Sequence, residues 1–151
     1  MLRLRAADES DVPAIFQLIG ELADYERLRA QMVGSALDLR RHLFGEPRFA
    51  HAVMAEWDGA VAGFALYFFN YSTFLCRPGL YLEDLFVRPE FRGRGVGLNL
   101  LRWLEQRARE IGCGRLEWAV LDWNQSAIDF YREFGAQLHE GWTLYRKLLS
   151  G

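Results

Sequence analysis

The chain has 151 residues, 51% of them hydrophobic and 25% charged, enough to bury a sizeable core as one domain over residues 1–151 and without an apolar stretch long enough to cross a bilayer. Eighteen Lys and Arg against twenty Asp and Glu give a formal net charge of -2, which excludes the clustered basic excess of a general nucleic-acid binder. Cys76 and Cys113 form no CxxC pair, and His42, His51 and His139 fall at no metal-ligand spacing, so neither a disulfide framework nor a metal is expected.

The opening residues lack the apolar run of a secretory signal, and a cytoplasmic protein is expected. Residues 2–5 alternate apolar and charged side chains, the pattern of a half-buried strand. Ser10 or Asp11 then caps a helix with Val12, Ile15, Phe16, Ile19, Leu22 and Ala23 on one stripe, Pro13 being tolerable in its first turn. Ser35-x-x-Asp38 reads as a capping box for a second, short helix that stops near Gly45. Strand periodicity follows over residues 50–56 and 61–69, joined by Asp58-Gly59 in a tight antiparallel hairpin. The Pro78-Gly79 pair reads as a break before a strand over 80–87. A glycine-rich loop over 92–97 leads into a helix over 98–111 that ends at Gly112 and Gly114. A strand over 115–121, a helix from Asn124 to Phe134 ended by Gly135, and a closing strand over 142–149 complete an α/β order with a mixed sheet. The arginines Arg102, Arg107 and Arg109 read as a solvated helix face.

The informative segment is the strand that runs into Arg92-x-x-Gly95-x-Gly97 and then into a helix. Such a turn leaves backbone N–H groups unpaired at the positive end of a helix dipole, where a phosphate is stabilised; glycines let the backbone approach the anion. The same glycines also serve merely to end a strand and start a helix. The turn is neither GxxxxGK[ST] nor an early GxGxxG, which disfavours triphosphate hydrolysis and dinucleotide binding.

This loop resembles the pyrophosphate motif of the GCN5-related N-acetyltransferases, and the order of elements is similar to theirs along nearly the whole chain. Glu21-Leu22-Ala23-Asp24-Tyr25-Glu26, Tyr81-Leu82-Glu83-Asp84, Trp123-Asn124 through Phe130-Tyr131, and Glu140-Gly141-Trp142 together resemble the diamine (spermidine/spermine) and thialysine acetyltransferases. The resemblance implies a mixed, mostly antiparallel sheet of six to seven strands, flanked by about four helices and splayed at an acetyl-coenzyme A cleft. It implies a homodimer that uses acetyl-coenzyme A as co-substrate and acts on a small cationic amine, with no nucleic-acid or membrane partner. Glu83 aligns with the carboxylate that takes the amine's proton, and Tyr131 with the acid that protonates the departing thiolate. For a lone helical tyrosine the blander reading is a core aromatic that hydrogen-bonds its hydroxyl. Coenzyme contacts are implied for Leu85, Phe86, Val87, Arg92, Gly93, Arg94, Gly95, Val96, Gly97, Leu98, Asn124, Ser126 and Ala127. Asn124 also reads as a helix N-cap.

Tyr25 and Glu26 match acceptor contacts, although Asp24 and Glu26 also read as a solvated helix end. Glu117, Trp118, Asp122 and Glu140 are further candidates for the acceptor wall. Asp84 points away from Glu83 if the strand alternates strictly, and toward the same cleft if a bulge intervenes. The run Asn124-Gln125-Ser126-Ala127 lacks the proline that the relatives carry there, a departure that bears on the acceptor wall. Acetylation of a protein lysine or N-terminus, acetylation of an antibiotic amine, and non-catalytic acetyl-coenzyme A binding are the alternatives.

Overall fold

The computed structural model describes residues 1–150, which divide into a compact unit spanning Met1–Ala119 and a second that begins at Val120. In the first, the alternating N-terminal segment forms β1 (Leu2–Ala6), followed by a 3-10 turn and α1 (Val12–Tyr25). Asp8 caps the 3-10 turn by accepting from the Ser10 N–H, whereas Asp11, at the α1 N-cap, makes no side-chain cap hydrogen bond. Its carboxylate is committed to Arg5 at 2.6 and 2.8 Å, and those hydrogen bonds hold it below the usual carboxylate range. Neither Ser10 nor Asp11 therefore caps α1 as the sequence suggested. Arg5 also donates to Glu56 at 2.9 Å, tying β1 to the neighbouring strand.

Helix α2 (Ala36–Phe44) begins at Ser35, whose hydroxyl accepts from the Asp38 N–H at 3.2 Å, and stops at Gly45 as expected. Strands β2 (His51–Trp57) and β3 (Ala60–Ser72) turn through Asp58 and Gly59 at φ +49° and +85°, the positive angles a two-residue hairpin requires. β4 (Arg77–Val87) starts earlier than the sequence suggested and absorbs Pro78 and Gly79, which pair with Tyr71 and Asn70. Gly79 fits because a Cβ there would strike the Asn70 side chain.

α3 (Val96–Ile111) crosses to β5 (Arg115–Trp118), which pairs parallel to β4, while the other three ladders are antiparallel. The sheet order is β1-β2-β3-β4-β5. One apolar cluster packs Ile15, Leu18 and Leu22 of α1 and Leu43 of α2 against Ala52, Met54, Phe64, Leu66 and Phe86 of the sheet. α3 buries Val96, Leu100, Leu101, Leu104 and Ala108.

β3 and β4 approach closely at Gly63, opposite Val87: a Cβ there would overlap the Phe86 carbonyl oxygen and lie 3.1 Å from the Val87 Cα. Backbone cannot step aside as a side chain can. Gly63→Ala is expected to cost about 2–3 kcal/mol, a Tm drop of roughly 4–12 °C, measurable by thermal melting; an unchanged Tm contradicts the close approach.

The second unit contains α4 (Gln125–Glu133), capped by Asn124 Oδ1 accepting from the Ala127 N–H at 3.3 Å and followed by Gly135 at φ +100°. Among the described residues the sheet has five strands, not six or seven. Residues 142–149, expected as a closing strand, pair with no segment among the described residues: Leu144 and Tyr145 are adjacent, as are Leu148 and Leu149, so no single face is apolar, and all four are exposed. β5 likewise stops at Trp118 instead of reaching residue 121, where its pairing with β4 ends. Among the described residues no helix is long and apolar enough to cross a membrane.

Candidate active site

Pairing of β4 with β5 ends at Leu82 opposite Trp118, while pairing with β3 continues to Val87. Among the described residues, 83–87 thus have one strand neighbour, β3, and no ladder on their other side. At the same point the β3–β4 register slips: Leu66 faces Asp84, Tyr67 faces Leu82, and Glu83 is the extra, unpaired residue of a bulge. The slip changes the phase of the strand. Leu82 shares the face of Tyr67, whose ring lies 6.1 Å from Trp103 of α3, but Asp84 and Phe86 share the face of Leu66 and Phe64, against which α1 packs. Asp84 is half-buried there, and Glu83 is exposed.

The C-terminal end of α1 supplies Tyr25 and the C-cap residue Glu26 to this place. Asp84 senses the charge of Glu83 and Glu26, and Glu26 senses that of Glu83. The Asp84 carboxyl is pushed up to about 7, first by burial and then by Glu83 and Glu26; Glu26 is also raised, by burial and then by Glu83. No basic side chain offsets either shift, so the three form a negative patch that a cation would stabilise. Among the described residues no group of three or more His, Cys, Asp or Glu side chains is arranged to hold a metal ion.

The raised Asp84 carboxyl has a consequence for stability. The folded chain keeps a proton there that the unfolded chain loses above its ordinary pKa of 3.8, so stability falls as pH rises from 3.8 to about 7 and then levels. Asp84→Asn removes this loss and is expected to be the more stable protein at pH 8, by at most ~4 kcal/mol, with no such advantage at pH 4. Urea unfolding at the two pH values checks it. An equal difference at both contradicts the account.

On the loop after β4, Gly93 and Gly95 adopt φ +77° and +81°, and Gly95 is the α3 N-cap with no side-chain cap hydrogen bond. The N–H groups of the first helical turn, from Val96 through Leu98, have no partner within the helix. A Cβ on Gly93 would meet nothing within 4 Å, so the turn is open in front. These residues fit a phosphate group. The Arg92 side chain folds back instead: its Nε donates to the Val87 carbonyl at 2.8 Å, and its Cζ lies 5.2 Å from the Tyr25 ring centroid and 5.4 Å from that of Phe86. Arg94 lies 5.2 Å from the Trp57 ring centroid and 5.8 Å from that of Phe91.

The first unit thus brings together Tyr25, Glu26, Glu83, Asp84, Phe86 and Arg92, with Leu85 and Val87 on the same strand. Glu117 is engaged on the sheet, 2.9 Å from Arg115 Nε and accepting from Asn70 Nδ2 at 3.3 Å, and Trp118 ends β5 beside it. Asp122, Asn124, Ser126, Ala127, Tyr131 and Glu140 belong to the second unit. Tyr131 lies half-buried on α4, its ring 5.5 Å from that of Phe130; Asp122 and Glu140 are exposed. Arg88, which directly follows β4 and reads locally as an ordinary strand end, pairs with Glu21 of α1 at 3.0 Å, a contact that the sequence does not reveal.

Residues 17–136 match the model of the acetyltransferase (GNAT) family. Thialysine N-epsilon-acetyltransferase of Bos taurus is 42% identical, over 95% of this chain and 90% of that protein. L-ornithine N5-acetyltransferase of Arabidopsis thaliana is 33% identical, over 95% of this chain and 83% of that protein. Among solved structures, an integron cassette protein from the mobile metagenome of V. cholerae superposes with a TM-score of 0.80 at 28% identity, covering 97% of this chain and 92% of that one.

Proposed function

The chain belongs to the acetyltransferase (GNAT) family and is an N-acetyltransferase, and from that premise we propose that it acetylates a primary amine of a small cationic acceptor, such as a polyamine, thialysine or a lysine-like amine. The observation that carries this reading is the patch of Glu26, Glu83 and Asp84 around the bulge, in which burial and like charge raise the Glu26 and Asp84 carboxyls with no basic side chain offsetting them, a place that suits an ammonium group. Acetyl-coenzyme A supplies the activated acyl group as its thioester. The opening N–H groups of α3 hold its diphosphate, and the β4 backbone from Leu85 to Val87, without a strand on that side, accepts the pantetheine arm as an added strand would.

An alkyl ammonium has a pKa of about 10.4, so at pH 7 only about one molecule in ~2,500 is the free amine, a deficit of about 4.6 kcal/mol. Glu83, exposed at the bulge, takes that proton directly or through water. Asp84 and Glu26 hold the acceptor's cationic charge, and Tyr25 lies along its alkyl chain. Tyr131 donates a proton to the departing sulfur, and Asn124 keeps α4 capped while offering a polar group to the coenzyme arm. Glu117, Trp118 and Glu140 contribute to the acceptor wall. The chain works in the cytoplasm as a homodimer, a state supported by the apolar tip of the β3–β4 hairpin, where Tyr71, Phe74 and Leu75 are exposed, and testable by sedimentation.

A panel of acceptors assayed by thiol release tests the function. Turnover with diamines, thialysine or ornithine is the expected result. Turnover confined to peptide amines or aminoglycosides, or none with any amine, overturns it.

A further inference from the structure

Arg88 is the first residue past β4, four residues before Arg92, and its donors reach two elements, β3 and α1. Its backbone N–H bonds the Ala62 carbonyl at 2.8 Å and its Nη1 the Val61 carbonyl at 3.1 Å, both at the start of β3. Its Nε and Nη2 grip the two carboxylate oxygens of Glu21 on α1 at 3.2 and 3.0 Å, a bidentate fork with both side chains mostly shielded, at 22% and 32% exposure. Glu21 lies one helical turn before Tyr25.

Apolar burial of Leu18 and Leu22 chooses which face of α1 meets the sheet, but it is non-directional and leaves the helix free to slide or roll by fractions of an ångström. A guanidinium–carboxylate fork is directional and removes that freedom. The second tie, Arg92 against the Tyr25 ring, lies one turn further along. Both ties run from the segment that leads into the coenzyme loop to the helix end that carries the acceptor residues.

We propose that the Arg88–Glu21 pair is a positioning device that sets Tyr25 and Glu26 against the bulged Glu83 and Asp84, and so governs acceptor affinity rather than coenzyme affinity. The proposal rests on the acetyl-transfer reading above. Errors of ~1 Å in the placement of substrate-positioning groups cost up to about a hundredfold in rate, which makes such a tie worth keeping.

The test is steady-state kinetics on Glu21→Gln, Arg88→Met and the exchanged pair Glu21→Arg with Arg88→Glu. The isosteric Glu21→Gln keeps the packing and carries the test should Arg88→Met fail to fold. Amine KM is expected to rise about tenfold in the single variants while acetyl-coenzyme A KM stays within about twofold and the pH profile keeps its shape; the exchanged pair recovers at least about half of the loss on a logarithmic scale. Equal shifts in both KM values, or an unchanged amine KM in a folded variant, overturn the proposal while leaving the enzymatic reading intact. Failure of the wild-type chain to turn over any amine removes both.

Discussion

Glu83→Gln is expected to lower kcat/KM for a small amine at pH 7.5 by about 10²–10⁴-fold, the usual contribution of a positioned general base. The substitution keeps the side chain's shape, and because Glu83 is the exposed, unpaired residue of the bulge, no ladder hydrogen bond or buried contact is lost with it. Stability should therefore be nearly unchanged, which separates a chemical from a structural effect. The pH profile sharpens the distinction. Without a base the enzyme depends on amine that is already free, and that deficit shrinks from about 4.6 kcal/mol at pH 7 to less than ~1 kcal/mol at pH 10. The variant should approach the wild-type rate as pH rises toward 10. A constant ratio of rates across that range would mean that Glu83 does not carry the proton.

Tyr131→Phe should lower kcat by about 10²–10³-fold and leave the affinity for coenzyme A nearly unaltered. The departing group is a thiolate whose conjugate acid has a pKa near ~8.5, and a phenol with a pKa near ~10 remains protonated at neutral pH to meet it. Phenylalanine preserves the ring that packs 5.5 Å from Phe130, so α4 keeps its aromatic contact while the proton is removed. An acceptor with a less basic nitrogen should suffer the same loss, because the missing proton belongs to the leaving group. Parallel losses in kcat and in coenzyme affinity, read by stopped-flow turnover and calorimetry, would make Tyr131 a structural residue.

Much of this arrangement is written locally in the chain. The hairpin at Asp58-Gly59, the Ser35 cap, the Asn124 cap and the glycine-rich entry to α3 each rest on short-range stereochemistry, and the structure bears each out. What the sequence withholds is set between elements. The bulge at Glu83 is a slip of register against β3, and no pattern within β4 alone reveals it, yet it decides whether Asp84 faces α3 or α1. The fork between Arg88 and Glu21 joins residues 67 positions apart. Arg92 follows the family's motif as a phosphate-site residue, but its guanidinium takes the nearer partners, the Val87 carbonyl and two rings. Residues 142–149 are apolar enough for a strand, but strands exist only with a partner, and local hydrophobicity cannot supply one.

Acetyl transfer by this chain requires that the turn at Gly93 and Gly95 and the N–H groups that open α3 bind the coenzyme's diphosphate. Calorimetric titration of coenzyme A into the wild-type chain and into Gly95→Val, which forces a β-branched side chain into φ +81°, tests this most directly. One saturable site per chain, weakened at least about tenfold in a folded variant, is the predicted result. No heat of binding at saturating coenzyme A, or undiminished affinity in Gly95→Val, would contradict it.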